Sequence, residues 1–113
     1  MFSGNISKTK VAQLELQSWE QQRQNEEIKI EKYINQKKNE LAKHQEAINY
    51  YNLYGKKLSD EIIKVGNNSY KHGEIDFFQY IQSLENATTI QVDYLDTILQ
   101  FNQTQLELYY LKF

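Results

Sequence analysis

The chain has 113 residues, with four glycines, no proline, no cysteine and a formal net charge of −2. That length allows one domain, the lack of cysteine excludes disulfides and thiolate metal sites, and the slight acidity argues against a nucleic-acid partner. No run approaches the roughly 20 apolar residues of a membrane span. Met1-Phe2-Ser3-Gly4-Asn5 lacks the basic region and apolar run of a signal peptide.

Asn and Gln supply 23 residues, which suits long helices with wet faces better than a compact core. Charge is unevenly placed. Residues 1–73 carry 12 Lys/Arg against 9 Asp/Glu, a net +3, whereas residues 74–113 carry Lys112 against six acids, a net −5. Two arms of opposite sign attract modestly when side by side, and salt screens most of that.

In chain order, Phe2-Ser3-Gly4-Asn5 reads as a loop, with Ser3, Asn5 or Ser7 available as N-cap. A first helix then spans about 5–72. Its beginning, to about Lys29, is thinly apolar: polar runs separate Val11, Leu14, Trp19 and Ile28. From Ile34 a heptad appears, with Ile34, Leu41, Ile48, Gly55, Ile62 and Ser69 spaced by seven. Offset by three lie Lys37, His44, Tyr51, Leu58, Val65 and His72. A 3.5-residue repeat favours a left-handed supercoil with a partner helix. His44 reads as a polar seam residue that sets register. Gly55 and Gly66 inside the helix each cost about 1 kcal/mol relative to Ala, which close approach of another backbone, or a hinge, can repay.

The stretch Asn67-Asn68-Ser69-Tyr70-Lys71-His72-Gly73-Glu74-Ile75-Asp76 breaks the pattern. Gly73 can take the left-handed conformation that ends a helix, and Lys71 and His72 suit the negative end of the dipole. Asp76 is a good N-cap for a second helix over about 76–112, with Glu74 adding negative charge near its start. A connection this short makes the helices antiparallel neighbours.

The second helix carries a stripe at steps of three or four: Phe77, Ile81, Leu84, Thr88, Val92, Leu95, Leu99, Asn102, Leu106, Tyr109 and Phe113. That stripe is expected to pack on the heptad face of the first arm. A second set, Phe78, Tyr80, Tyr94, Ile98, Phe101, Leu108, Tyr110 and Leu111, widens the apolar face beyond what two helices cover, so further helices are expected to pack there. The second helix, at about 37 residues, is roughly 55 Å long and the first, at about 65, roughly 100 Å, so about 28 residues of the first overhang. The expected fold is all-α: one domain over 1–113, built as two long antiparallel helices forming a coiled-coil hairpin with a short turn near Gly73.

The run Tyr70-Lys71-His72-Gly73-Glu74-Ile75-Asp76-Phe77-Phe78-Gln79-Tyr80-Ile81 resembles the outer-membrane efflux protein family, the TolC-like channels, which carry a Tyr-x-x-Gly turn before an apolar helix start. Tyr50-Tyr51-Asn52-Leu53-Tyr54 before the turn, and Tyr94 to Gln103 and Leu106 to Leu111 after it, extend the resemblance over nearly the whole chain, as the last hairpin of a larger protein. The tyrosine-rich style is most similar to the heavy-metal-type branch. The resemblance implies a homo-trimer whose hairpins form a tunnel from the outer membrane across the periplasm. Its tips meet a periplasmic adaptor protein bound to an inner-membrane pump. On this chain the docking tip would be Tyr70, His72, Gly73, Glu74, Ile75 and Asp76. Ile75 and Gln79 stand where the best-known members have an Arg and an Asp, so no tip salt-bridge gate is implied.

Other readings are available for some of these residues. The turn can be a tight connection only, and the chain a stand-alone coiled-coil interaction or scaffold module. His72, Glu74 and Asp76 can crowd a metal, or can simply cap and compensate dipoles. The tyrosines fit interhelical packing with hydroxyls to water. The Asn-x-Ser/Thr triplets at Asn5, Asn67, Asn86 and Asn102 are expected by chance in so Asn-rich a chain. No nucleophile–base–orienter set, phosphate loop or HExxH helix appears, so no enzymatic activity, cofactor or metal is expected.

Overall fold

The computed structural model describes residues 2–111, with side chains from residue 7 onward. All regular elements among the described residues are helical. Helix α1 is Phe2–Tyr50, a π turn follows at Tyr51–Gly55, α2 is Lys56–Lys71 and α3 is Phe77–Leu111. The absence of proline lets these helices run long. Helix α1 begins by Phe2, earlier than the expected residue 5, so Ser3, Asn5 and Ser7 lie within it instead of capping it. Phe113 lies outside the described residues.

The chain divides into two units, 1–36 and 37–113. In the first, every described side chain from Ser7 to Tyr33 is exposed, including Val11, Leu14 and Trp19.

The second unit holds the contacts of a hairpin. Tyr80 hydrogen-bonds Asn67, Ser59 bonds to the carbonyl of Ala87, Tyr51 stacks on Tyr94, and Lys37 meets Glu107. Rising numbers on the first arm meet falling numbers on α3. The backbones come closest between α2 and α3, through small residues. Ser59 and Ala87 are fully buried. A Cβ at Gly66 would lie 3.2 Å from Ser83 Cβ, so Gly66 provides the close approach expected of it. The polar groups in this tight seam are satisfied. Ser59 Oγ donates to Ala87 O at 3.1 Å and accepts from Gln91 Nε2 at 3.0 Å, while Thr104 Oγ1 donates to Gln100 O at 2.9 Å.

Two corrections to the sequence reading arise here. The first arm is not a single α-helix, because at the π turn the Lys56 N–H donates five residues back, to Tyr51 O. A π turn takes up one extra residue, and beyond it the most buried positions fall one residue late, while Ile62 and Ser69 stay half-buried as the heptad expects. Lys37, Leu41, His44, Ile48 and Tyr51 follow the expected heptad, half-buried. After the turn the buried positions are Ser59 and Gly66, whereas Leu58 and Val65, expected inside, are 51% and 52% exposed. Likewise His72 is exposed. Gly55 also answers to a different neighbour than expected: a Cβ there would meet Tyr51 Cδ2 of the same arm at 2.8 Å, not another backbone. Its missing side chain leaves room for the Tyr51 ring to lie flat on Tyr94, centroids 3.8 Å apart and 10° between planes.

The second correction concerns the face of α3. The half-buried and buried positions include Ala87, Gln91 and Thr104, together with Tyr80, Tyr94, Ile98, Phe101 and Leu108 of the secondary set. The cleaner stripe lies largely outside: Leu95 is 61% and Leu99 57% exposed, and Phe77, Val92, Leu106 and Tyr109 are exposed too. Among the described residues of that stripe only Ile81 and Leu84 are half-buried. The physical reason is the close crossing at Ser59, Gly66, Ser83 and Ala87. Small residues let the backbones approach until the Ser59 hydroxyl reaches the Ala87 carbonyl, and that rotation of α3 turns Leu95, Leu99 and Leu106 away.

Toward the other end of this unit, Lys37 Nζ donates to Glu107 Oε2 at 3.0 Å and lies 3.4 Å from Glu40 Oε2. The Glu107 hydrogen bond holds the Lys37 ammonium above its ordinary pKa against an opposing desolvation, with Glu40 helping. A raised pKa means that this contribution is complete below the ordinary lysine value. It is lost only as pH climbs through the higher folded value, so it is constant around neutrality.

Candidate functional site

The turn is built almost entirely from its own residues. Helix α2 ends with the Glu74 N–H donating to Ser69 O at 2.9 Å and the Gly73 N–H to Tyr70 O at 3.1 Å. These are the two bonds of a Schellman motif, with Gly73 at the left-handed position, φ +71°. The carbonyl of Asn68 accepts from the His72 N–H at 3.0 Å and from His72 Nδ1 at 2.6 Å. Because a carbonyl only accepts, Nδ1 carries the proton and Nε2 is left outward.

Helix α3 starts with a reciprocal pair. The Gln79 N–H donates to Asp76 Oδ1 at 2.8 Å, and the Asp76 N–H donates to Gln79 Oε1 at 3.0 Å. This is a capping box, satisfying two otherwise unpaired donors at the helix start. Asp76 is thus the expected N-cap. The role of Gln79 was missed, although Asp76-x-x-Gln79 is a readable signal. Replacing Asp76 by Ala is expected to cost about 0.5–2 kcal/mol, read as a lower urea midpoint at unchanged slope.

An aromatic cluster braces the turn. Tyr70 stacks on Tyr80, centroids 4.7 Å apart and 7° between planes, and meets Phe77 edge-on at 6.1 Å. Tyr80 Oη donates to Asn67 Oδ1 at 2.7 Å, so both arms are tied just below the bend.

The six expected site residues therefore share one short bend but play different parts. Gly73 and Asp76 shape it, Tyr70 braces it, and His72 closes the end of α2. Glu74 is exposed, and Ile75 is half-buried. Ile75 lines an open hollow with Ile62, Val65, Gly66 and Ser83, on the flank of the bend. The side chains of His72 and Asp76 are engaged in capping bonds, as the capping alternative requires. Among the described residues no three His, Asp or Glu side chains gather as a metal-binding group.

Comparison of the chain with protein-family models, with curated proteins and with solved structures finds no match.

Proposed function

We propose that this chain is the tip-bearing helical hairpin of an outer-membrane efflux duct, acting by shape and association and not by chemistry. In this reading the two arms form an antiparallel coiled coil in the periplasm. The bend at Tyr70, His72, Gly73, Glu74, Ile75 and Asp76 docks a periplasmic adaptor coupled to an inner-membrane pump. The parent protein is a homo-trimer in the outer membrane.

The observation that carries the reading is the bend itself. The Tyr70-x-x-Gly73 turn is locked by local bonds on both sides, which fixes its shape before any partner arrives. Pre-organisation of this kind lowers the ordering cost of docking. The exposed apolar residues of α3, notably Leu95 and Leu99, support the second half of the reading, because a duct hairpin must offer faces to neighbouring hairpins.

The chain has no cysteine, so a single thiol placed at Glu74 is unique. With Glu74→Cys carrying a short photo-crosslinker in the periplasm, the expected result is a covalent adduct to the adaptor; the same probe at exposed Gln22 should give none. Absence of the Glu74 adduct while other proteins are captured along α3 would favour the rival reading, a stand-alone coiled-coil interaction or scaffold module. The exposed leucines of α3 suit that rival equally well.

A further inference from the structure

We propose that the π turn is a register device, which stores one residue of the first arm and is held by the stack of Tyr51 on Tyr94. It stands or falls independently of the docking reading.

Three observations meet at Tyr51–Gly55. The Lys56 N–H reaches back five residues to Tyr51 O, so the turn holds one residue more than an α turn. The Tyr51 ring occupies the space where a Gly55 Cβ would stand, and lies stacked on Tyr94 of the opposite arm. Beyond the turn the buried positions are Ser59 and Gly66, one residue later than the heptad that precedes it.

The unshifted register is also written in the sequence. Leu58 and Val65 continue the heptad row of Lys37, His44 and Tyr51, yet stand half out in solvent. If the π turn relaxed to an α turn, every residue of α2 would rotate by about 100° and advance by about 1.5 Å. Leu58 and Val65 would then take the places of Ser59 and Gly66, with the arms standing farther apart to hold the larger side chains. The bend beyond Lys71 is closed by bonds to Asn68, Ser69 and Tyr70, so it would turn with α2 once the Asn67–Tyr80 bond and the Tyr70–Tyr80 stack to α3 part. The device thus sets the direction in which the bend presents Glu74. Two discrete packings of this kind are what a switch between orientations requires.

Disulfide trapping in the full chain distinguishes the two registers. A Cβ at Gly66 would sit 3.2 Å from Ser83 Cβ, a few tenths of an ångström inside the usual disulfide spacing, so Gly66→Cys with Ser83→Cys should close under mild oxidation. Val65→Cys with Ser83→Cys should stay reduced. Adding Tyr94→Ala removes the stack, and the Val65/Ser83 pair should then close while closure of the Gly66/Ser83 pair falls. Deleting Asn52 instead removes the stored residue itself. The first arm then becomes continuous α-helix without rotating α2, and the Gly66/Ser83 pair should close as before. Two results would overturn the proposal. One is Tyr94→Ala leaving only the Gly66/Ser83 pair able to close. The other is the Asn52 deletion opening that pair and closing Asn67→Cys with Ser83→Cys. Should Tyr94→Ala abolish both disulfides by unfolding, the deletion decides alone.

Discussion

Ala87→Leu is expected to destabilise the hairpin by about 2–3 kcal/mol, a fall in Tm of roughly 10 °C. Ala87 is fully buried where α2 and α3 run closest, and its carbonyl accepts the Ser59 hydroxyl at 3.1 Å. Three extra carbons cannot fit without pushing the helices apart. Separation then strands Ser59, itself fully buried, which also accepts from Gln91. Overpacking and a lost buried hydrogen bond act in the same direction. By contrast, Leu95→Ala removes a larger apolar group from a position 61% exposed, and should change stability by no more than about 0.5 kcal/mol in the dilute chain. Thermal melts followed by helical circular dichroism check both. If Leu95→Ala proves the costlier change, the arms are joined through the leucine stripe and not through the small residues.

Gly73→Val is expected to cost about 1–3 kcal/mol, for a different reason. Nothing lies within 4 Å of a Cβ built at Gly73, so no neighbour resists the side chain. The whole cost is backbone: φ is +71°, a region that a β-branched residue enters only with strain. Gly73→Asn, which tolerates the left-handed region, should recover most of the loss. Urea unfolding of the pair separates the two, with similar slopes and distinct midpoints. Equal midpoints for Val and Asn would mean that the Schellman geometry is not what holds the bend.

The bend was the most legible part of this sequence. A lone glycine after a long periodic run, basic residues before it and Asp76 after it all point to one helix end and one helix start, and each is a local signal. The choice of face on α3 was not legible. Leu95 and Leu99 belong to the more regular stripe, and periodicity alone assigns the regular stripe to the inner seam. The seam is set instead by how closely backbones can approach at Gly66, Ser83 and Ala87, which is a property of pairs and not of one helix. The π turn left no local mark beyond Gly55, because Tyr51-Asn52-Leu53-Tyr54 is compatible with an ordinary α-helix. Gln79 was readable from its spacing to Asp76 as half of a capping box.

The hairpin closes through small residues and leaves Leu95 and Leu99 exposed. Sedimentation equilibrium of the full chain from micromolar to millimolar concentration, with Leu95→Glu/Leu99→Glu alongside, tests this most directly. The mass and helicity of the unmodified chain are expected to rise with concentration, while the double variant stays monomeric and retains the helicity of the dilute chain. An unmodified chain that remains a monomer of constant helicity over the whole range would contradict it.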